Sequence, residues 1–208
     1  MSPPKNQLHG LYDAIALLDA DGKTVLAGEL WRNQPVLILC LRRLGCILCR
    51  AEAKKLYASK PAFDELGIRL VTVVHQMPKL ELEAFKPAYW DGEVYLDSSK
   101  ELFVLAGGGQ LRKGSQLTFF NPFSSVWKTA IAAKNTVDDF NFKGVGSIMG
   151  GIIVMQAGSG GVEDIFPEKN FGQFASNEEI IASCKSAARQ QQKGSKHRLK
   201  TTVTASAQ

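Results

Sequence analysis

The chain has 208 residues, enough for one sizeable domain with its own core, and its 45% hydrophobic and 22% charged content is ordinary for a globular protein. No apolar run approaches the roughly 18–20 residues of a membrane span; the longest, Pro35 to Leu41, is of strand length. The net charge of +5 is supplied by Arg189, Lys193, Lys196, Arg198 and Lys200, with no acid beyond residue 188, so residues 1–188 are net neutral and have no electrostatic reason to seek nucleic acid.

Residues 1–11 read as a flexible N-terminus. Met1 to Gln7 lacks an apolar h-region, so a secretory signal is not expected; the cytosol is the default compartment, with an organelle left open. Ala14–Leu18 and Thr24–Ala27 flank Asp19-Ala20-Asp21-Gly22-Lys23, and Asp-Gly between apolar runs predicts a β-hairpin. Pro35 to Leu41 is continuously apolar, the pattern of a strand buried on both faces. Gly45 breaks it, and Cys49 to Tyr57 is rich in strong helix formers. Pro61 kinks or restarts this helix and Gly67 ends it.

Ile68–Val74 predicts a second buried strand, Pro78–Phe85 a helix, and Val94–Leu96 a short strand. Ser98 or Ser99 is placed to cap a helix running to Ala106. Residues 107–148 read as an insertion with an aromatic cluster (Phe119, Phe120, Phe123, Trp127) and a helix around Ser124–Lys134. Gly151–Gln156 and Val162–Phe166 form a second hairpin, Glu178–Ala188 a closing helix, and 189–208 a basic, disordered tail. The order implies an α/β domain over 12–188: a thioredoxin-like mixed sheet flanked by helices, with an N-terminal β-hairpin.

Four cysteines without a signal peptide do not make a disulfide framework. Cys46-Ile47-Leu48-Cys49 sits where the apolar strand hands over to the helix, and cysteines three apart there can close a small disulfide. The unpaired N–H groups and partial positive charge of a helix start favour a thiolate, the reactive form. Arg42, Arg43 and Arg50 bracket the motif as candidate thiolate stabilisers; alternation allows at most one of Arg42 and Arg43 to face it. A zinc half-site uses the same spacing but needs two more ligands, and the chain has only His9, His75 and His197 with no second Cys-x-x-Cys. Inert packing is the third reading. Cys40, inside the apolar strand, and Cys184, four after Ile180, read as core residues. His75, at a strand end, is a possible base but more simply a hydrogen-bonded core histidine. Gly144-Val145-Gly146-Ser147-Ile148-Met149-Gly150 fails as a dinucleotide fingerprint because Met149 stands where glycine is required, and the run precedes a strand.

Leu41-Arg42-Arg43-Leu44-Gly45-Cys46-Ile47-Leu48-Cys49-Arg50-Ala51-Glu52-Ala53 resembles the signature of the peroxiredoxin-like 2 family, of the AhpC/TSA type. The likeness continues through Phe85-Lys86-Pro87, Gly92 to Asp97, Gly150 to Val154 and Glu168-Lys169-Asn170-Phe171-Gly172, over roughly residues 12–186, and Arg-Glu-Ala after the second cysteine looks like the antioxidant 2A branch. The resemblance implies a thioredoxin-like fold and antioxidant or redox-regulatory activity, with no bound cofactor and with electrons from thioredoxin or glutathione, indirectly from NADPH. A related branch reduces prostaglandin and prostamide endoperoxides. Two departures stand out. Counting from Cys49, the threonine position of peroxiredoxins is Cys46 and the proline position is Arg42. The cis-proline place of thioredoxins falls near Met149-Gly150, where there is none.

The leading expectation is therefore a thiol-dependent protein cycling a Cys46–Cys49 dithiol, with Cys46 attacking and Cys49 resolving, on peroxide-type or disulfide substrates. A redox-sensing module without fast turnover and an endoperoxide reductase are the alternatives.

Overall fold

The computed structural model describes residues 10–115, 125–158 and 161–205, with the chain beyond 192 described by its backbone. The Phe119, Phe120 and Phe123 cluster lies outside these residues.

The N-terminal hairpin forms as the Asp-Gly signal predicts: β1 (Ala16–Leu18) pairs antiparallel with β2 (Thr24–Leu26). Asp19 organises the turn, its carboxylate accepting the Asp21 and Lys23 backbone N–H groups at 3.0 and 2.9 Å. After a short α1 (Gly28–Trp31), β3 (Val36–Leu41) is buried at every position, as its unbroken apolar run requires. The chain then enters α2 (Ile47–Tyr57), and α3 (Lys60–Glu65) restarts at Pro61 in its first turn. β4 (Arg69–Val74), α4 (Lys79–Phe85), β5 (Glu93–Leu96) and α5 (Glu101–Ala106) follow. Next come α6 (Ser125–Ala133), β6 (Gly151–Met155), β7 (Val162–Pro167) and α7 (Asn177–Ala205).

One seven-stranded mixed sheet results, in the order β2-β1-β5-β4-β3-β6-β7. β3 pairs parallel with β4 (Leu39 opposite Thr72) and antiparallel with β6 (Leu39 opposite Ile152). Alternation along β3 divides the core. Leu37, Leu39 and Leu41 face the layer that holds Cys46, Cys49, Phe63, Phe85 and Cys184. Val36, Ile38 and Cys40 face the opposite layer with Trp31, Leu102 and Phe103. Cys40 is therefore on the wrong face to join the other two thiols.

Two expectations need correction. The helix to Ala106 is not capped by Ser98 or Ser99. Lys100 is its N-cap, at φ 65°, and the fully buried Asp97 accepts the Lys100 and Leu102 N–H groups at 2.7 and 2.9 Å. Ser99 Oγ donates to the same carboxylate at 2.7 Å. A carboxylate is the stronger acceptor for these N–H groups and suits the positive end of the helix. The closing helix does not stop at Ala188 but continues to Ala205, through a run of arginine, glutamines and lysine that favours helix as strongly as the residues before it. Glu179 caps its start, accepting the Ser176 N–H at 2.9 Å.

Replacing Asp97 by alanine leaves two N–H groups of a buried helix start without their acceptor. The expected cost is about 2 kcal/mol of unfolding free energy, measurable as a lower urea midpoint with an unchanged slope.

Candidate functional site

The site is built where β3 ends. Cys46 is the N-cap of α2, with extended backbone (φ −76°, ψ 128°), and its carbonyl accepts the Arg50 N–H at 2.9 Å. Cys49 follows within the first turn. Both thiols are free, and both are buried, Cys46 to 3% exposure and Cys49 to 1%.

The two sulfurs are not equivalent. Cys46 is held well below the ordinary thiol range, first because the Cys49 thiol donates to it, then, against the cost of burial, by the Arg42 guanidinium, with a smaller contribution from Arg43. Cys49 is pushed well above that range by burial and by its bond to Cys46. Both shifts favour negative charge on Cys46 over Cys49.

Arg42 is the arginine that reaches the sulfurs. Its Nη2 donates to Cys46 Sγ at 3.5 Å, its Nη1 to the Gly146 carbonyl at 3.4 Å, and its guanidinium lies over the Phe171 ring at 4.3 Å. It is 1% exposed and stays charged because, against burial, Cys49, Cys46 and Glu168 favour the cation. Glu168 Oε1 is 3.4 Å from Arg42 Nε. Arg43 points away, as alternation requires: its Nη1 donates to the Phe142 carbonyl at 2.6 Å.

Arg50 departs from its expected role. It is fully buried, but its guanidinium faces neither sulfur. Nε donates to the Leu44 carbonyl at 2.7 Å, Nη1 to the Asp139 carbonyl at 2.7 Å and to the Asp139 carboxylate, and Nη2 pairs with Glu81 at 3.6 Å. It sits one turn into α2, so its side chain runs back under the loop that precedes Cys46 and fastens it. The same bonds, with one from Tyr89, hold the Asp139 carboxyl below the usual range.

The three arginines thus grip one segment. Residues 139–146 offer the Asp139, Phe142 and Gly146 carbonyls to Arg50, Arg43 and Arg42 in turn. The Asn141 N–H donates to the Gly45 carbonyl at 2.8 Å, and its side-chain amide donates to Glu81 at 2.9 and 3.0 Å. A side chain at position 45 would collide with Asn141, so glycine there permits the close approach. The segment exposes three apolar side chains, Phe140, Phe142 and Val145, with Phe142 70% exposed, beside the charged Asp139 and Lys143.

The remaining candidates fall elsewhere. Cys184 is buried against α7's neighbours and its thiol is pushed up to about 12 by burial; Cys40 is raised well above the ordinary range, again by burial first. His75 packs edge-on to Phe103, 5.3 Å between centroids, and burial lowers its pKa. Glu168, Asn141 and Asp139 were not legible as site residues. Glu168 and Phe171 lie in the run Glu168 to Gly172, whose match to the family pattern was the one available signal.

Comparison with known proteins agrees with this architecture. The family model described as AhpC/TSA antioxidant enzyme matches residues 55–165, a span that begins after Cys49. Peroxiredoxin-like 2A of Mus musculus is 35% identical over 184 residues, covering 88% of this chain and 81% of that protein. The Rattus norvegicus protein of that name is 37% identical over 171 residues (82% and 72%), and the Homo sapiens one 33% over 184 (88% and 77%). Among solved structures, Xanthomonas campestris peroxiredoxin Q superposes with a TM-score of 0.55 at 13% identity, over 85% of this chain and 93% of that one. Peroxidoxin BcpB from Mycobacterium tuberculosis gives 0.55 at 14%, over 82% and 91%. These structures share the thioredoxin-like fold of the sheet described above; the sequence relatives go further, and the chain belongs to the AhpC/TSA antioxidant family, in its peroxiredoxin-like 2 branch together with the 2A proteins.

Proposed function

We propose that this protein is a thiol-dependent peroxide reductase in which Cys46 attacks and Cys49 resolves. The observation that carries the reading is the asymmetry of the pair: Arg42 Nη2 lies 3.5 Å from the Cys46 sulfur, while Cys49 is the deeper thiol and donates to its neighbour. The Cys46 thiolate attacks the distal oxygen of a hydroperoxide, the O–O bond breaks, and the alcohol leaves after taking a proton. Cys46 is now a sulfenic acid. Cys49 attacks that sulfur, a disulfide forms and water departs. Two electrons from a dithiol of the thioredoxin or glutathione type, drawn ultimately from NADPH, return both thiols. A disulfide substrate enters the same cycle as a mixed disulfide on Cys46, and an endoperoxide as a cyclic peroxide cleaved at the same bond.

Cys46 occupies the position where a peroxiredoxin carries threonine relative to Cys49, and Arg42 the position of its proline. In this reading the guanidinium replaces the hydroxyl as the donor that holds the thiolate.

A specific observation favours the second reading, a redox sensor with slow turnover: neither sulfur is open to solvent, and 139–146 is fastened at Gly45 beside them. A peroxide reaches Cys46 only after local opening. Oxidation would then release or rearrange that segment, whose exposed Phe142 and Phe140 would carry the signal to a partner surface.

Mild peroxide treatment followed by peptide mass spectrometry is expected to give a Cys46–Cys49 disulfide. Cys46→Ser should reduce peroxide consumption to background. Cys49→Ser should give one turnover and a trappable sulfenic acid on Cys46; the reverse pattern would reassign the nucleophile. Sustained consumption with a thioredoxin system distinguishes the enzyme from the sensor.

The depressed Cys46 thiol also sets a pH dependence. A thiolate already formed at neutral pH gives a Cys46 alkylation rate that is flat from neutral to alkaline pH and falls on acidification. An ordinary thiol would instead gain rate through about pH 8.5. In Asn141→Ala, loss of the bonds to Glu81 should loosen the covering segment and raise that rate about two- to fivefold, read in the same assay.

A further inference from the structure

Glu168 is fully buried and takes no part in the steps above. Both of its carboxylate oxygens are held by backbone: Gly150 N–H donates to Oε2 at 2.8 Å and Gly172 N–H to Oε1 at 2.6 Å. Arg112 Nη1 donates to the Glu168 carbonyl at 2.8 Å, fixing the backbone as well. A side chain held this firmly has one orientation, and in it Oε1 lies 3.4 Å from Arg42 Nε. On the far side of the same guanidinium, Nη2 reaches Cys46. Phe171, three residues after Glu168, covers the guanidinium face at 4.3 Å. One short stretch, Glu168 to Gly172, therefore supplies the charge partner and the ring that together leave Arg42 a single place to lie.

We propose that Glu168 is the positioning residue of the thiol site, a carboxylate that acts on Cys46 by holding the Arg42 guanidinium against its sulfur. The proposal rests on the reading of Cys46 as the attacking thiolate. It also accounts for the residue that ends the loop before β6. Position 150 must donate an N–H to Glu168, which proline lacks. A side chain there would in addition run into the Cys40 carbonyl oxygen. Glycine meets both demands, so the place where thioredoxins carry a cis-proline is given over to anchoring the carboxylate.

The charged and titratable groups that act on Cys46 are Cys49, Arg42 and Glu168 and, pointing away from it, Arg43. Glu168 can act on the thiol in two opposite ways. As a mere counter-charge it weakens the pull of Arg42 and repels the thiolate, so its removal makes Cys46 easier to ionise. As a positioning residue it keeps Arg42 in place, so its removal lets the guanidinium leave and makes Cys46 harder to ionise. The sign of one measurement separates them.

The experiment is the pH dependence of Cys46 carbamidomethylation in the full-length reduced chain, read peptide by peptide. In Glu168→Gln the midpoint is expected to rise by about one pH unit, the size of one lost charge-assisted hydrogen bond. Arg42→Met should give the same rise, and the double variant no further shift. A midpoint that is unchanged or lower in Glu168→Gln overturns the proposal. If circular dichroism shows that Glu168→Gln is unfolded, Arg42→Lys takes its place. It keeps the charge, but its single ammonium cannot span carboxylate and sulfur together; an unchanged midpoint there overturns the proposal equally. No turnover is read, so a chain inert to every peroxide tested counts against the proposed function alone, while this titration still decides the role of Glu168.

Discussion

The guanidinium of Arg42 is a full positive charge with almost no access to water, and the arrangement around it follows from that fact. Removing one partner from a buried ion pair costs about 3–5 kcal/mol, because the other charge is left without compensation. The protein meets the demand with Glu168 on one side, the Cys46 sulfur on the other, the Phe171 ring on one face and the Gly146 carbonyl at the remaining edge. The cation and the thiolate are mutually dependent. The Cys49 hydrogen bond and then Arg42 hold the Cys46 thiol low, and Arg42 stays charged in the core because the two cysteines and Glu168 favour the cation.

The sheet makes this possible by bringing three distant stretches to one end of β3. The strand delivers Arg42 and the turn to Cys46; β6, antiparallel beside it, begins at Gly151 and so places Gly150 next to Cys40; β7 ends at Pro167 and hands Glu168 to the same spot. The helix then fixes the order of the two sulfurs. As N-cap, Cys46 stands at the positive end of α2, and Cys49, inside the first turn, is the one that burial keeps protonated.

Access is the counterpart of this stability. A site buried deeply enough to pack a cation against the sulfur also excludes substrate, and here the covering segment is tied down by carbonyl contacts to the same arginine row. Only Arg42 of the three serves the sulfur directly; Arg43 and Arg50 act on Phe142 and Asp139. Whether the site works as a catalyst or as a sensor is then a matter of how often that segment opens, and the two proposed readings differ in that rate rather than in the chemistry at sulfur.

Much of this was legible in the sequence alone. The unbroken apolar run of β3, the Asp-Gly turn between β1 and β2, Pro61 and Gly67 each act over a few residues, and local rules suffice for such features. The position of the cysteine pair at a strand-to-helix junction follows from the same rules, and alternation alone showed that Arg42 and Arg43 diverge. Which of them faces the sulfur did not follow, nor did the diversion of Arg50 to Asp139, nor the charge partnership of Arg42 with Glu168. A side chain's partner far along the chain depends on how strands are ordered in the sheet, and no local periodicity encodes that. Asp97 shows the same limit at short range: a serine was the expected cap, but burial of the helix start selected the stronger acceptor nearby. The sequence by itself determined that a dithiol would stand at the end of a buried strand, because local hydrophobic pattern and spacing decide that. Only the tertiary structure decided which arginine reaches Cys46 and what that arginine meets on its other side, because both depend on stretches far apart in the chain brought together through space.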